Sequence, residues 1–310
     1  MMDSFALMII VATVASGIRL ATPFLLASLG EALGQRSGVL NLGVDGVMLL
    51  GAFGAYYAVL KTGNLFLGLI VGIGLGLIIG LFYAVITINL RAEQGVSGIG
   101  IYLFGLGMSD LLFQKLVGTP RPILPFMPLE IPLLSGLPII GEMLFQHSLI
   151  VYIAFGLVPL MAFVLKRTTY GLNVRAIGEN PEAADSLGVS ITAIRYSTLI
   201  VGNGLAGLAG AALAIELGIF QQNLTNAMGF IAIALVYFGA WSPKGVMMGS
   251  LVFGLVQAIV LQCKTFGIIP RSASDLAAMA PAIITILALV IVAKRFRQPS
   301  ALTKPYVRGG

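Results

Sequence analysis

Long apolar runs without charge are the feature that most limits what this chain can fold into. Residues 64–90, for example, contain no Asp, Glu, Lys or Arg. A transmembrane helix needs about 20 predominantly apolar residues, whereas a membrane barrel strand needs about ten residues that alternate between apolar and polar. Because a backbone in lipid must satisfy its own hydrogen bonds, these continuous runs predict membrane-spanning helices.

Composition leads to the same conclusion. The chain has 310 residues, of which 58% are hydrophobic and 10% charged, and its mean hydropathy is +1.01. Soluble domains have roughly 45–50% apolar and about 25% charged residues, so this chain lacks the polar surface that water requires. We therefore predict an all-α polytopic membrane protein with the lipid bilayer as its solvent.

Nine apolar segments are candidate spans, although Gly-rich and polar patches interrupt several of them. Interruption is typical of discontinuous helices, so we expect about eight to ten transmembrane helices. No basic region precedes the first segment, so we expect it to remain in the mature chain rather than to be cleaved as a signal. The segments are 5–29, 39–60, 64–90, 96–117, 147–165, 193–216, 227–240, 245–263 and 275–293.

Loop charge predicts the orientation. The stretch 166–195 holds four Lys or Arg residues, and 294–310 holds five with no acid, so the positive-inside rule makes both, and the C-terminus, cytoplasmic. Four predicted spans lie between them, as an even number of crossings requires. The Pro-rich loop 118–146 then lies outside. The net charge of +6 is thus a topology signal, and no nucleic-acid polymer is expected as a partner.

The first half of the chain is less decisive. Glu31 and Arg36 are expected in a short turn. Counting spans backwards from the cytoplasmic loop places the N-terminus outside. A re-entrant or broken segment near 31–48 would change that count, so the side of the N-terminus stays open.

Several kinds of catalytic site have almost no residues to draw on. Cys263 is the only Cys and His147 the only His, which excludes an internal disulfide and disfavours Cys or His metal sites and Ser-His-Asp triads. The sequence also contains no HExxH, no GxSxG and no GxxxxGK(S/T) phosphate loop. We expect no catalytic residue, no metal ligand and no cofactor bound by this chain.

Small residues recur on single helix faces. Four glycines in the third apolar segment are spaced four residues apart, and a second small-residue face follows in the segment 193–216. Such faces let neighbouring backbones approach closely. We predict packing within the chain, with a subunit interface as the alternative. The two sets are Gly68, Gly72, Gly76 and Gly80, and Gly204, Gly207, Gly210, Ala211 and Ala214.

The longest charged stretch between two spans, 170–188, contains a well-marked short helix. Asn180 suits the N-cap and Pro181 the first helical position, while Gly188 can take the left-handed conformation that ends a helix. The pattern predicts about two turns, from Pro181 to Leu187, with Ala183, Ala184 and Leu187 on one face. Such a helix suits docking in a groove on a cytoplasmic partner, or is an ordinary solvated loop helix.

Three stretches resemble a known family. GENPEAADSLG, from Gly178 to Gly188, resembles the coupling loop of ABC importer permeases, and is most similar to those for branched-chain amino acids, simple sugars and nucleosides. GVLNLGVDGVMLLGAFG, from Gly38 to Gly54, looks like the hallmark of the nucleoside branch, although that branch often has Glu where Asp45 stands. IAIALVYFGAWSPKG, which ends at Gly245, is the third stretch.

The resemblance implies one subunit of a larger transporter. The partners would be an ABC ATPase subunit that holds ATP and Mg, a second permease (a related chain or a copy of this one) and an external substrate-binding lipoprotein. The chain itself would form a single permease domain, 1–300, with a cytoplasmic coupling loop at 169–190 and a cytoplasmic tail at 301–310, in the plasma (inner) membrane of a bacterium. The coupling residues would be Gly178, Glu179, Asn180, Pro181, Glu182, Ala183, Ala184, Leu187 and Gly188.

Polar and aromatic side chains within or near spans are candidates for the translocation pathway, because polar groups in a bilayer normally face a cavity or a partner. Asn41 and Asp45 lie in the Gly-rich stretch from Gly38 to Gly54. Asp45 has either a transport or gating role or a structural pairing with Arg19 or Arg36. Asn203 bonds across helices or lines the pathway. Two more candidates are Phe53, which stacks on a base or packs, and Glu216, at the outer mouth or in a solvated loop.

Function follows from these features with alternatives. The leading hypothesis is the permease subunit of an ATP-driven importer of a small polar solute, nucleosides first. A simple-sugar (ribose-like) or branched-chain amino acid permease is the alternative within the superfamily. An ion-coupled secondary transporter, which would use acids such as Asp45 within its spans, is the alternative outside it.

Overall fold

The structure is a computed structural model and describes residues 2–132, 134–270, 276–277, 279–284, 287 and 297–306. The predicted span 275–293 falls largely outside these residues. Within them the chain is mainly helical, and seven helices are long and apolar enough to cross a bilayer. The prediction of an all-α polytopic membrane protein is therefore confirmed.

Eleven helices make up the described part of the chain. The third continues as a π-helical segment, Val85–Asn89, and two short strands, β1 (Leu129–Glu130) and β2 (Gln146–His147), pair antiparallel. The helices are α1 Met2–Arg36, α2 Val44–Thr62, α3 Leu65–Ala84, α4 Gln94–Leu116, α5 Ile140–Leu144, α6 Leu149–Arg167, α7 Thr169–Glu179, α8 Pro181–Ser186, α9 Ile191–Leu217, α10 Met228–Phe238 and α11 Pro243–Thr265.

Helix α9 lies at the centre and packs against α1, α2 and α3. Small residues make this packing possible. A Cβ on Gly76 would overlap the carbonyl oxygen of Asn203, and one on Gly207 would overlap the carbonyl oxygen of Gly72. Both predicted small-residue faces therefore pack within the chain, as expected.

Two helices begin inside the protein rather than at a membrane surface. After Arg36 the chain turns back along α1, since the Asn41 N–H donates to the Glu31 carboxylate (3.0 Å), and α2 then begins with its first turn buried. After Leu217 the chain passes through residues 218–227, and α10 begins beside α2. We call residues 37–43 the first re-entrant segment and residues 218–227 the second.

This arrangement corrects one prediction. Glu31 and Arg36 lie in the last two turns of α1, not in a turn between spans, and α1 runs seven residues beyond the predicted end at residue 29. The helix continues because the Glu31 carboxylate is buried with hydrogen-bond donors around it. The interruption near 31–48 that the sequence left open is present, and it begins after Arg36.

The two ends of the molecule are distinct. At one, the coupling end, α7 and α8 lie against the C-terminal residues, where the Ala301 N–H donates to the Gly178 carbonyl (2.9 Å). At the other, the loop end, residues 117–148 meet the end of α9, where the Ile123 N–H donates to the Gly218 carbonyl (2.7 Å). The two basic stretches therefore share one end, as the even number of crossings predicted.

Candidate functional site

Asp45 joins the two interrupted helices. It lies in the first turn of α2 and is fully buried. Its Oδ1 accepts the Gly229 N–H (2.7 Å) and its Oδ2 accepts the Thr225 hydroxyl (3.0 Å). Gly229 is in the first turn of α10, whose own N-cap, Ala227, supplies no side-chain acceptor. Asp45 thus caps α10 from another helix, where the positive end of the helix dipole favours a carboxylate.

The predicted pairing of Asp45 with an arginine is wrong. The Arg36 Nε donates to the Trp241 carbonyl (3.0 Å), and the Arg19 guanidinium donates to the Ser16 hydroxyl (3.2 Å). Neutral donors at the start of α10 take the place of the arginine. They are sufficient because a carboxylate that accepts an N–H and an O–H is already well satisfied.

The contact between α2 and α10 is closed. A Cβ on Gly229 would overlap the backbone N and Cα of Asp45. No side chain separates the two helix starts, and nothing the size of a solute passes between them in this structure. Any passage at this point requires α2 and α10 to move apart.

Asn41 and Asn203 bond to each other. The Asn41 Nδ2 donates to the Asn203 Oδ1 (2.8 Å), the Asn41 Oδ1 accepts the Gly43 N–H (2.8 Å), and the Asn203 Nδ2 donates to the Leu199 carbonyl (2.8 Å). Both side chains are buried, and the gap beside them is too small for a water molecule. The interhelical hydrogen bond expected of Asn203 is present, and it holds the first re-entrant segment against α9.

Sequence reasoning missed a second polar group, built on Glu31 and Gln35. The Glu31 Oε1 accepts the Gln35 Nε2 (2.9 Å) and the Asn41 N–H (3.0 Å), while the Gln35 Oε1 accepts the Trp241 indole N–H (2.7 Å). These bonds tie α1 to the first re-entrant segment and to the turn after α10. The signal that could have found them is an acid and an amide four residues apart on an otherwise apolar helix.

Phe53 belongs to a buried aromatic cluster. Its ring stacks on Tyr57 (5.8 Å between centroids) and meets the edge of Phe220 (5.4 Å). Phe53 is 4% exposed. These contacts favour the packing alternative for Phe53 over stacking on a solute.

Glu216 lines a cavity of about 240 Å³ at the loop end. Helices α1, α6, α9, α10 and α11 form its walls. Arg19, on α1, lines the same cavity, so two of the charged residues singled out from the sequence are brought together. Other lining residues are Thr22, Ser148, Leu213 and Met228.

His147 lies next to Ser148, which lines this cavity. Burial lowers the pKa of His147 and the nearby charge of Arg19 lowers it further, whereas the Met143 carbonyl that its ring contacts (2.9 Å) and the charge of Glu216 act in the opposite direction. The pKa is lowered on balance, which favours the neutral imidazole. The formal charges at this end of the cavity are those of Arg19 and Glu216.

The coupling end contains the predicted short helix. The Asn180 Oδ1 accepts the Ala183 N–H (3.0 Å), and Pro181 is the first residue of α8. Leu187 is the C-cap, and Gly188 follows with φ +81°, the left-handed conformation expected of it. The sequence signals for this helix are therefore confirmed at both ends.

The predicted common face of α8 is divided. Ala184 is 3% exposed and packs with Ile177 and Ile191, because α8 lies flat on α7 and the start of α9. Ala183 faces outwards, and Leu187 is 83% exposed. The surface offered to a partner therefore consists of Glu182, Ala183, Ser186 and Leu187, without Ala184.

Residues 299–306 hold the coupling loop in place, and we call them the C-terminal strap. The Ser300 hydroxyl donates to Glu179 (3.1 Å), and the Tyr306 hydroxyl donates to Asp185 (2.9 Å). The Thr303 N–H donates to the Gly38 carbonyl (3.2 Å), which ties the strap to the first re-entrant segment. The predicted tail, 301–310, begins within this packed strap, since Ala301 is 3% exposed.

Comparison with known families agrees with this architecture. The model of a family described as the permease component of the branched-chain amino acid transport system matches residues 13–292. The chain belongs to this permease family. No solved structure matches the permease.

Three curated relatives align with the permease over most of their own length. A guanosine ABC transporter permease protein of Bacillus subtilis is 32% identical over 93% of this chain and 94% of its own. A nucleoside ABC transporter permease protein of Lactococcus lactis is 32% identical over 95% and 96%. A putative glucose ABC transporter permease protein of Haloferax volcanii is 37% identical over 81% and 77%.

The permease has no metal site in the part that the structure describes, where no three His, Cys, Asp or Glu side chains come together. Its polar candidates form two groups instead. One is the closed centre, Asn41, Asp45 and Asn203. The other is the open cavity at the loop end, with Glu216 and Arg19.

Proposed function

We propose that the permease is the membrane subunit of an ATP-driven importer and that its solute is a nucleoside. The observation that carries the importer assignment is the coupling end, where a capped two-turn helix presents an exposed leucine, Leu187, on a face that the chain itself does not cover. A leucine at 83% exposure beyond the spans suits burial in a groove on a partner.

The nucleoside assignment is supported by two relatives that align almost from end to end and are described as guanosine and nucleoside permeases. It is also supported by the stretch from Gly38 to Gly54, which resembles the nucleoside branch and forms most of the first re-entrant segment and the start of α2. The relative described as a glucose permease makes a simple sugar the second candidate. A branched-chain amino acid remains the third, from the description of the family.

Force applied at α8 has a direct route to the centre. The C-terminal strap connects the coupling loop, at Gly178, Glu179 and Asp185, to the carbonyl of Gly38. Gly38 lies six residues before Val44, where α2 begins beside α10. A displacement of the coupling loop therefore pulls on the segment that leads into α2, and opening of the contact between Asp45 and Gly229 would complete the passage.

The partners follow from this assignment. A separate ABC ATPase, with ATP and Mg, docks on the coupling end, which places that end and the C-terminus in the cytoplasm of a bacterium and this chain in its inner membrane. A second permease, either a related chain or a copy, completes the pore. An external lipoprotein delivers the solute to the loop end. The permease itself binds no cofactor.

The first test is isolation from native membranes in mild detergent, with identification of what accompanies the permease. Co-purification of an ATPase with a phosphate loop, and of a related permease or a lipoprotein, is the expected result. Isolation of the permease alone as a stable homo-oligomer would contradict the importer assignment. In that case ion-driven uptake would be measured to test the secondary-transporter alternative.

A point variant tests the docking face. Leu187→Asp is expected to abolish uptake and release the ATPase, while the permease remains folded, because Leu187 contacts little of its own chain. Gln222→Asp, exposed at the opposite end, is the matched control and should retain the ATPase. Ala184→Glu is not suitable, since a buried charge there disrupts the coupling loop itself. Normal uptake by Leu187→Asp would show that α8 is not the docking element.

The solute class is tested by competition. Uptake of radiolabelled guanosine by cells that express the full importer is measured with excess adenosine, ribose or leucine. Competition by adenosine and not by ribose or leucine is expected. Competition by ribose alone would replace the nucleoside with a simple sugar.

A further inference from the structure

We propose that the cavity at the loop end is a solute-binding site within the single permease subunit, and that it takes an uncharged solute with neighbouring hydroxyl groups and a flat apolar part. The inference rests on the proposed importer function and adds to it the residues that hold the solute before the centre opens.

Position is the first argument. The cavity lies where Glu216, near the end of α9, and Ser148, just before α6, reach the loop end, so it is placed away from the coupling loop. Its volume of about 240 Å³ is below that of most ligand pockets, which typically measure about 300–1,000 Å³. It therefore suits one small molecule.

An unsatisfied hydroxyl is the second argument. Ser148 is 3% exposed, lines the cavity, and its Oγ has no hydrogen-bond partner among the described residues. A buried polar group without a partner costs about 1–3 kcal/mol. The Oγ itself is fully buried, so a rotation of the Ser148 side chain into the cavity would let a solute hydroxyl pair with it and remove this cost.

Opposite charges on different helices are the third argument. The Arg19 guanidinium offers several N–H donors from α1, and the Glu216 carboxylate offers only acceptors from α9. No salt bridge joins the two in this structure, so both remain available. Two neighbouring hydroxyls of one solute can accept from the arginine and donate to the carboxylate, whereas a charged solute would be repelled by one of them.

Apolar side chains complete the site. Ile150, Val151 and Leu213 are nearly fully buried and line the same cavity. Pockets that bind small molecules commonly combine such walls with a few polar groups that fix orientation. A nucleobase is flat and largely apolar on its faces, so a nucleoside supplies both kinds of contact at once.

The inner wall of the cavity connects the site to the closed centre. Met228, the first residue of α10, lines the cavity. The next residue, Gly229, donates its N–H to Asp45. A solute that contacts Met228 therefore lies one residue from the contact that must open. Binding in the cavity would in this way be transmitted to α10.

Cysteine protection tests the proposal in the assembled importer. Cys263 is the only native Cys, so Cys263→Ala provides a cysteine-free background. Ser148→Cys or Glu216→Cys is then introduced, and labelling by a membrane-impermeant maleimide is followed in intact cells with and without guanosine. Gln222→Cys, exposed at the loop end outside the cavity, is the control.

Guanosine is expected to slow labelling at Ser148→Cys and at Glu216→Cys but not at Gln222→Cys. At a concentration about ten times the dissociation constant, mass action gives roughly tenfold slower labelling. Leucine should give no protection. If the buried position 148 does not label at all, position 216, nearer the opening, decides alone.

Labelling that is equally fast with and without guanosine at position 216 would overturn the proposal, as would equal protection at position 222. Both outcomes are distinct from failure of the proposed function, because guanosine uptake by the importer that contains the Cys263→Ala permease is measured in the same cells. Uptake without protection would contradict the cavity as the solute-binding site and would leave the importer assignment intact. Protection by leucine and not by guanosine would show that the solute is a branched-chain amino acid rather than a nucleoside.

Discussion

The two re-entrant segments lead to the same contact but are held very differently. The first, 37–43, is mostly buried and is braced by side chains from three helices. Glu31 binds the Asn41 N–H, Gln94 binds the Leu40 N–H (2.9 Å), and the Tyr83 hydroxyl donates to the Leu40 carbonyl (2.6 Å). These groups leave little of its backbone without a partner.

The second segment, 218–227, has fewer such bonds. Residues 221–223, 226 and 227 are exposed, and three of its residues adopt left-handed backbone conformations without being glycine. Its main tertiary bonds are from Thr225 to Asp45 and from Ile123 to Gly218. Phe220, Leu224 and Thr225 anchor this segment, so local opening is favoured in its exposed residues, 221–223 and 226–227. The comparison indicates a fixed support on the first side and a movable element on the second, next to the cavity at the loop end.

The largest effect is expected where the two segments meet. Gly229→Ala places a Cβ against the backbone of Asp45, and only backbone movement can relieve the overlap. We expect a loss of more than about 3 kcal/mol and little folded permease in the membrane. Thermal unfolding in detergent measures it. Gly74→Ala, whose Cβ would meet nothing within 4 Å, is the matched control and should leave stability unchanged.

The second largest effect is expected from removing Glu31, which holds the first re-entrant segment in place. Glu31→Ala leaves the Asn41 N–H and the Gln35 amide without their acceptor, at about 1–3 kcal/mol for each buried donor. Hydrogen exchange should rise in residues 37–43 and stay constant in 221–227. Equal exchange in the two segments of the unmodified permease would show that the contrast between support and movable element is absent.

A smaller effect is expected on the second side. Thr225→Val removes one hydrogen bond to the Asp45 carboxylate while the Gly229 N–H remains, so we expect a loss of about 1.5–3 kcal/mol. The readout is transport as well as stability. A weaker contact should open more readily and raise the ATPase rate of the importer without its solute. An unchanged ATPase rate without solute would show that this contact does not control gating.

The smallest effect is a gain. Ala227 has φ +66°, a conformation that costs most residues about 1 kcal/mol and glycine nothing. Ala227→Gly should therefore raise the unfolding temperature slightly or leave it unchanged, because greater freedom of the unfolded chain offsets part of the gain. A clear fall would mean that the methyl group of Ala227 makes a contact that stabilises the start of α10.

The sequence predicted most of the fold because its signals are local. Apolar runs identified the spans, and Asn180, Pro181 and Gly188 identified the coupling helix, since caps depend on neighbouring residues alone. The partners of Asp45 were not predictable, because Thr225 and Gly229 are 180 residues or more away and a neutral donor gives no charge signal. Ala184 illustrates a related limit, since periodicity shows which residues share a face but not which face is covered.

The coupling end also depends on residues distant in the chain. The C-terminal strap, 299–306, follows the described spans, yet it supplies hydrogen bonds to Gly178, Glu179 and Asp185 beside α8. The coupling loop is therefore fully held only after the strap has been synthesised. A chain cut before residue 299 would retain the described spans and lose this support, so it would fail at the proposed contact with the ATPase rather than in the membrane.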